Sequence, residues 1–350
     1  MDIIEILRTA AEKQAADIFI VSGAALSYKA QGMVYRMDDT PLTAEDTRNL
    51  VMQIFRLAKM EISYSAMPDR EMDFSLSVAG IGRFRANIYK QRNSYSAVLR
   101  YVPFELPDAE KLGIPKQVMD LSDSKSGIVL ITGIASSGKS TTLSCILDRI
   151  NRTRSGHIIT IEDPIEFLHK HNKCIVSQRE INIDTDSYIA ALRAALRQSP
   201  DVILLGEMRD YETISIAMTA AETGQLVLST LHTLGAANTI DRIIDVFPIN
   251  QQHQIRVQLS MVLNAVVCQQ LLPSVDGGLI PAFEIMTMNS AVRTLIRDQK
   301  THQIDTILQS SDGMQTMDSC IAKMYRDGKI TAQTAVDFAY NPEIMAKRIM

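Results

Sequence analysis

The 350-residue sequence has no tryptophan and only four cysteines, which lie far apart without a C-x-x-C pair: Cys145, Cys174, Cys268 and Cys320. Cysteines spaced in this way argue against a disulfide framework or a paired-cysteine zinc site, and they favour a reducing compartment such as the cytosol. No apolar stretch approaches the roughly 18 residues of a membrane-spanning helix, and the first residues lack the basic and apolar regions of a secretion signal. We therefore expect a cytoplasmic protein whose contact with a membrane is peripheral.

The sequence also lacks an excess of positive charge. Its net charge is −4, so there is no overall basic signal for nucleic acid, and we expect no nucleic-acid partner. Apolar residues make up 46% of the chain, which is enough to build the cores of two or three globular domains.

A phosphate-loop motif is present near the middle of the chain. Residues 133–140 read Gly-Ile-Ala-Ser-Ser-Gly-Lys-Ser and match G-x-x-x-x-G-K-[ST] without a mismatch. The apolar run at 127–132 predicts a buried strand before the loop, and the spacing of apolar residues over 141–150 predicts a helix after it. Backbone N–H groups of such a loop and the N-terminus of the helix together attract an anion, so the motif predicts a phosphate site. The alternative interpretation is a Gly-Ser turn before a helix, with a solvated lysine.

We expect this loop to bind ATP, with Lys139 on the β- and γ-phosphates and Ser140 on Mg²⁺. The predicted nucleotide-binding residues are Gly133, Ser136, Ser137, Gly138, Lys139, Ser140 and Thr141.

Two domains are predicted from the patterns on either side of a proline-rich segment. Within residues 1–100, apolar spacing predicts a helix over 3–14, and Thr43 three residues before Asp46 predicts the start of a second helix. Residues 32–37 are predicted to form one arm of a hairpin, and alternation predicts strands at 72–78 and 83–89. This mixture indicates an α+β domain, and residues 101–115 carry three prolines and a glycine typical of a linker. From residue 116, strands alternate with helices, which predicts a parallel sheet with crossover helices. The tail over 250–350 is mostly helical in pattern, with breaks at Leu272-Pro273 and Gly277-Gly278. The expected fold is therefore α/β, ending in a helical region over about 280–350.

Carboxylates follow two of the predicted strands in the second domain. Glu207 follows a predicted strand that we expect to neighbour the loop, and it is placed there to activate the water that attacks ATP. The residue before such a glutamate is often an aspartate, but it is Gly206 here. We therefore assign Mg²⁺ to Ser140 and, through water, to Asp163 or Glu166. Glu207 is alternatively a solvated charge or the main Mg²⁺ ligand, and in the second case Asp163 and Glu166 become the catalytic candidates.

His232 and a group of arginines are further candidates. His232 follows the predicted strand at 225–230 and either contacts the γ-phosphate or caps a helix. Four arginines of the N-terminal domain are either polar positions on strands or donors to the developing charge on the phosphate: Arg83, Arg85, Arg92 and Arg100.

His169, His171 and Cys174 have side chains that bind metals. No fourth ligand lies near them in the sequence, and their spacing fits no structural zinc pattern, so we do not predict a zinc site there.

Several of these segments resemble the signature motifs of the type II/type IV secretion ATPase superfamily. The phosphate loop resembles its Walker A motif, Thr-Ile-Glu-Asp-Pro-Ile-Glu-Phe at 160–167 its Asp box, Gly-Glu-Met-Arg-Asp at 206–210 its Walker B motif and Thr-Leu-His-Thr at 230–233 its His box. Within the superfamily the chain is similar to the type IV pilus retraction ATPases. Gly-Arg-Phe-Arg-Ala-Asn at 82–87 resembles their N-terminal domain, and Ala-Val-Arg-Thr-Leu-Ile-Arg at 291–297 resembles their C-terminal retraction motif.

The resemblance covers nearly the whole chain. It implies a PAS-like N-terminal domain, a RecA-like ATPase domain and a ring-shaped homohexamer that hydrolyses ATP with Mg²⁺ to retract pili and drive twitching motility. Arg85 and Arg100 would be arginine fingers, acting within their own chain or on a neighbour. The implied partners are a membrane platform protein of the pilus machine, at the inner face of the cytoplasmic membrane, and a paralogous pilus ATPase.

Three alternatives stay open. A pilus assembly or type II secretion ATPase is disfavoured because the sequence has no four-cysteine zinc module. The second alternative is a non-hydrolysing nucleotide-binding subunit that regulates a second motor. The altered loop keeps it open, because Ile134, Ala135 and Ser136 stand where the family usually has Pro-Thr-Gly. A separate departure is Gln225, which stands where the His box usually begins with histidine. A DNA-handling RecA-type motor is the third alternative.

Overall fold

A computed structural model describes residues 1–30, 33–62, 67, 71–102 and 106–349 of the chain. The chain divides into two compact units, Met1–Glu105 and Leu106–Met350. Gly32, where a predicted hairpin arm begins, and residues 103–105 of the predicted linker lie outside the described residues.

The N-terminal unit is a six-stranded antiparallel sheet with two helices. Its strand order is β3-β2-β1-β6-β5-β4. The elements are α1 (Ile3–Glu12), β1 (Asp17–Ile20), β2 (Ala25–Ala30), β3 (Met33–Pro41), α2 (Ala44–Leu57), β4 (Met72–Val78), β5 (Gly82–Gln91) and β6 (Ser94–Val102).

Local sequence signals explain these elements. The predicted apolar face of α1 is buried, as are Phe74, Leu76 and Val78 at alternate positions of β4. Thr43 and Asp46 form the predicted start of α2 as a full capping box, in which each side chain accepts a hydrogen bond from the other's backbone N–H. The α+β prediction for this region is therefore confirmed at the level of its helices and strands.

The second unit is built on a seven-stranded sheet with the order β13-β12-β7-β11-β10-β8-β9. Its first elements are α3 (Lys116–Met119), β7 (Gly127–Thr132), α4 (Lys139–Thr153), β8 (Gly156–Glu162), β9 (Cys174–Glu180), α5 (Tyr188–Ala195), β10 (Val202–Leu205), α6 (Tyr211–Glu222) and β11 (Leu226–Leu231). They are followed by α7 (Ala236–Asp245), α8 (Ile249–Val262), β12 (Leu263–Pro273), β13 (Leu279–Thr287), α9 (Ser290–Arg297), α10 (Ile304–Ser310), α11 (Met317–Arg326), α12 (Ala332–Phe338) and α13 (Pro342–Ile349).

The six strands from β12 to β9 are parallel, and only β13 runs antiparallel. Alternate residues of β7 enter apolar clusters on opposite faces of the sheet, so the whole strand is buried. This arrangement explains the uninterrupted apolar run before the phosphate loop, and it confirms the predicted parallel α/β sheet. Within the described ranges, none of the helices has the length and apolar character needed to cross a membrane.

The prediction of a mostly helical region after residue 250 is wrong for residues 263–287, which form the hairpin of β12 and β13. Side chains of β12 are buried on both faces, so the strand shows no two-residue alternation that would identify it. The predicted helix breaks at Gly277 and Gly278 are the turn of this hairpin, where both glycines have positive φ. The helical region begins at α9 instead.

Candidate nucleotide site

The phosphate loop joins β7 to α4, and its two glycines adopt backbone angles that favour glycine. Gly133 has φ = +142° and Gly138, at the start of α4, has φ = +86°. A Cβ atom on Gly133 would collide with the carbonyl of Gln269, and one on Gly138 would lie 2.7 Å from the Gln269 side-chain nitrogen. The glycines are therefore required by the close approach of β12 as well as by the turn.

Lys139 lies in the first turn of α4 and is 7% exposed. Its Nζ donates hydrogen bonds to the carbonyls of Gly133 (2.9 Å) and Ile134 (2.7 Å). Burial lowers the pKa of Lys139, and the negative charges of Glu166 and Glu207 act in the opposite direction. The two carboxylates from separate motifs thus lie within electrostatic reach of the loop lysine.

The loop also has polar groups that fit a phosphate. The Ser137 hydroxyl is buried and has no hydrogen-bond partner among the described residues. Ser140 and Thr141 are partly exposed in the first turn of α4, where backbone N–H groups have no helical acceptor. The unpaired hydroxyl and these donors fit nucleotide phosphates, and the oxygens of Ser140, Asp163 and Glu166 are of the kind that Mg²⁺ prefers.

Glu207 follows β10 at the carboxyl edge of the sheet. Its Oε2 lies 2.6 Å from Arg209 Nε and 3.6 Å from His232 Nε2. The hydrogen bond to Glu207 raises the pKa of Arg209. His232 is thus placed beside the candidate base, while the N-cap position of α7 is held by Gly235. We expected Glu207 on a strand next to the loop strand β7. That prediction is wrong, because β11 lies between β10 and β7 and places Glu207 two strands away.

Gly206 stands where an aspartate is often found, and the structure gives a steric reason. A Cβ atom on Gly206 would lie 2.8 Å from the hydroxyl of Tyr188 and 3.5 Å from the Cα of Glu162. The pKa of Tyr188 is raised by burial and by the nearby charges of Glu207 and Asp163. The tyrosine hydroxyl therefore fills the space that an aspartate side chain would need.

The Asp-box carboxylates differ in their surroundings. Glu162 accepts hydrogen bonds from Thr160 Oγ1 (2.6 Å) and Gln178 Nε2 (3.3 Å), and burial raises the pKa of Glu162 to about 7. Asp163 and Glu166 are exposed. The oxygens of the exposed pair are accessible from solvent, so Asp163 and Glu166 are better placed than Glu162 to bind a cation.

The family described as "Type II/IV secretion system protein" matches residues 1–278. This chain belongs to that family. It is 42% identical to the type IV pilus retraction ATPase PilT of Pseudomonas aeruginosa over 98% of this chain and 99% of that protein. It is 41% identical to a twitching motility protein of Neisseria gonorrhoeae over 98% of this chain and 92% of the relative.

A solved structure of the pilus retraction motor PilT with bound ADP is similar along the whole chain. It is 44% identical, the match covers 98% of each chain, and the TM-score is 0.89. The predicted membership of the secretion ATPase superfamily is thus confirmed.

Two departures from the usual motifs of the secretion ATPase family have definite places. Ser136 has φ = +61° in the exposed part of the phosphate loop, in the left-handed region that costs a non-glycine residue roughly 1 kcal/mol. Gln225 precedes β11 and His232 follows it, so the altered first position of the His box lies at the opposite end of the strand from the candidate site. The Gln225 side chain accepts a hydrogen bond from Thr223 Oγ1 at 2.8 Å.

The candidate arginine fingers of this secretion ATPase lie in the N-terminal unit. Arg85 on β5 and Arg100 on β6 are cross-strand partners, and both are exposed. Arg100 Nε donates a hydrogen bond to Asp17 Oδ1 at 2.9 Å. The structure therefore brings the two arginines together on one sheet, in a different unit from the phosphate loop.

Arg293 in the retraction-like segment of the family has a structural partner. On α9, its guanidinium donates hydrogen bonds to the carbonyls of Ser260 and Met261 at the end of α8. Arg293 is therefore not simply a solvated side chain, because these hydrogen bonds satisfy helix carbonyls that have no partner within α8.

The metal-binding types of side chain at His171 and Cys174 have other contacts. His171 Nδ1 accepts a hydrogen bond from the backbone of Val176, and the Cys174 thiol lies 3.1 Å from the Arg154 carbonyl. In the part of the chain that the structure describes, no three acidic, cysteine or histidine side chains are grouped to hold a metal ion.

Sequence reasoning missed three residues that line this ATPase site. Arg209 contacts Glu207, Tyr188 packs against Gly206, and Gln269 packs against the loop glycines. Gln269 had a usable signal, since a glutamine within the apolar run of β12 needs a buried polar partner. Arg209 had a signal as well, since it lies two residues from Glu207 in the same motif and carries the opposite charge. Tyr188 had none, because its contact with Gly206 depends on how distant segments pack.

Proposed function

We propose that the chain is an Mg²⁺-dependent ATPase that works as a homohexameric ring to retract type IV pili and drive twitching motility. The observation that carries the ATPase assignment is the phosphate loop between β7 and α4, whose buried Lys139 lies within electrostatic reach of Glu166 and Glu207. The cellular role rests on the similarity to PilT, which extends over nearly the full length of both proteins.

The nucleotide would be held at the loop. Lys139 would exchange its hydrogen bonds with loop carbonyls for the β- and γ-phosphates, and backbone N–H groups of the first turn of α4 would bind phosphate oxygens. Ser140, with Asp163 or Glu166 through water, would hold Mg²⁺. When bound, this ion withdraws charge from the phosphate oxygens.

Hydrolysis needs a base and a means of stabilising charge. Glu207 would orient and deprotonate the attacking water, because its side chain lies at the strand edge among polar neighbours. His232, at 3.6 Å from Glu207, would link this carboxylate to the γ-phosphate. Arg85 and Arg100 would neutralise the developing charge once subunits assemble, either in their own chain or in a neighbour.

The assembly and the partners are part of the same proposal. The N-terminal unit would be a PAS-like domain and the second unit a RecA-like motor, with ATP favouring closed subunit interfaces and hydrolysis releasing them. The ring would act in the cytoplasm at the inner face of the membrane, on a platform protein of the pilus machine and beside a paralogous pilus ATPase. Light scattering with an ATP analogue tests the ring, and a strict monomer whose turnover is unchanged on dilution would contradict it.

Two measurements test the function itself. The purified protein should release phosphate from ATP in an Mg²⁺-dependent manner, without stimulation by DNA. A deletion strain should keep assembled pili but fail to retract them, and retraction should return with the wild-type gene but not with Lys139→Ala. Normal retraction in the deletion strain would overturn the motor assignment, and DNA-stimulated turnover would favour a DNA-handling motor.

A second candidate is a nucleotide-binding subunit that regulates another motor without hydrolysing ATP. The strained Ser136 at the loop apex favours it, because a less adaptable loop could bind phosphates without completing the reaction. Tight ATP binding with no phosphate release by the assembled protein would select this candidate.

A further inference from the structure

Gln269 of β12 contacts the phosphate loop at both of its ends. Its backbone carbonyl occupies the space beside Gly133 where a Cβ atom would project, and its side-chain nitrogen occupies the corresponding space beside Gly138. The strand register places Cys268 opposite Thr132, so Gln269 comes one residue later, level with the beginning of the loop. A single residue therefore packs against the first and the last glycine of the motif.

The same side chain also holds the helix that follows the loop. Gln269 Oε1 accepts a hydrogen bond of 2.7 Å from Thr142 Oγ1, and both side chains are buried, with Gln269 only 3% exposed. Breaking this bond is costly because it is buried, and water cannot replace the partner that the hydroxyl or the amide would lose. The bond fixes the first turn of α4 relative to β12, and the loop enters α4 from β7, the sheet neighbour of β12.

We propose that Gln269 is a positioning residue for the nucleotide, which sets the shape of the phosphate loop by holding Thr142 and both loop glycines. This inference rests on the proposed nucleotide-binding function of the loop. A phosphate nest works only when its N–H groups converge, so a small shift of α4 against β12 weakens every phosphate contact together.

The neighbouring residue Gln270 provides a matched control. It is also a buried glutamine of β12, but it hydrogen-bonds the side chain of Tyr340. Gln270→Leu removes the same amide from the adjacent position without touching the loop. A general weakening of the strand would make the two variants behave alike, whereas a positioning role separates them.

The experiment compares ADP affinity with thermal unfolding in five variants of the full-length protein: Gln269→Leu, Thr142→Val, their double variant, Gln270→Leu and Thr142→Ser. Losing the buried bond should weaken ADP binding about tenfold in either single variant, and the double variant should be no weaker, since both changes remove one interaction. Gln270→Leu should lower the unfolding temperature and keep wild-type affinity. Thr142→Ser retains the hydroxyl and should also keep wild-type ADP affinity.

The outcomes are distinguishable. If the wild-type protein does not bind ADP, the proposed function itself fails. If the wild type binds but Gln269→Leu and Thr142→Val bind equally well, the positioning role is overturned. Equal weakening by Gln269→Leu and Gln270→Leu, or effects that multiply in the double variant, also overturns it. Thr142→Val tests the same bond from the helix side should Gln269→Leu fail to fold.

Discussion

Replacing Glu207 by glutamine separates catalysis from binding and folding. The glutamine keeps the size of the side chain and an oxygen that accepts the Arg209 hydrogen bond, but it cannot take a proton from water. Turnover should therefore fall by roughly 10²- to 10⁴-fold, the usual span for a positioned acid–base group, while ATP affinity changes little.

Stability should also change little. The Glu207–Arg209 ion pair is short at 2.6 Å, but the Arg209 side chain is 76% exposed. A pair screened by solvent in this way contributes about 0–1 kcal/mol to folding. Glu212→Gln is the control, because it removes the acid of another short ion pair, 2.7 Å from Arg193, and should leave turnover unchanged.

The assay measures phosphate release across an Mg²⁺ titration, with nucleotide affinity and thermal unfolding in parallel. Wild-type turnover in Glu207→Gln would refute the base assignment. Recovery of the variant at high Mg²⁺ would instead identify Glu207 as the principal metal ligand, and catalysis would then pass to Asp163 or Glu166.

Three further predictions concern other parts of the second unit. Lys139→Ala should weaken ATP binding by roughly 10- to 100-fold in a nucleotide titration, because it removes a charge that contacts phosphate in the ground state, and unchanged affinity would contradict this role. Arg293→Ala should leave ATPase activity largely intact and abolish pilus retraction, whereas Arg326→Ala, which removes an exposed arginine of α11 outside the retraction-like segment, should leave both unchanged. A proportional loss of both activities in Arg293→Ala would show that the bond from Arg293 to the end of α8 serves folding alone. Gly206→Ala should lower the free energy of unfolding by about 1 kcal/mol through the contact with the Tyr188 hydroxyl, and adding Tyr188→Phe should restore it in denaturant unfolding.

Short-range signals in the sequence predicted many of the elements in both units. The capping pattern at Thr43 in the N-terminal unit and the apolar run before Gly133 in the second unit each depend on neighbouring residues, so both can be recognised without knowledge of the fold. The meeting of Glu166 and Glu207 near Lys139 was also predictable, because the carboxyl ends of parallel strands share one edge of the sheet.

Features set by contacts between distant segments were not predictable. The hairpin of β12 and β13 looked helical, since strands buried on both faces lose their alternation. With that strand misassigned, Gln269 could not be placed beside a loop more than 100 residues earlier in the chain. Likewise, the order of β7, β11 and β10 follows from crossovers that one sequence does not specify, which is why Glu207 was placed one strand too near the loop.

The register of β5 and β6 makes Arg85 and Arg100 of the N-terminal unit direct cross-strand partners, and Asp17 pairs with Arg100 on its other side. Like charges directly opposite one another in a sheet are destabilising by a few tenths of a kcal/mol to about 1 kcal/mol, and the ion pair between Arg100 and Asp17 offsets part of this repulsion. Two adjacent guanidinium groups suit a multiply charged phosphate, so this register is compatible with the predicted arginine-finger role, which stays a prediction. If the role is correct, replacing either arginine by alanine should lower turnover in the assembled protein more than it lowers the stability of the sheet.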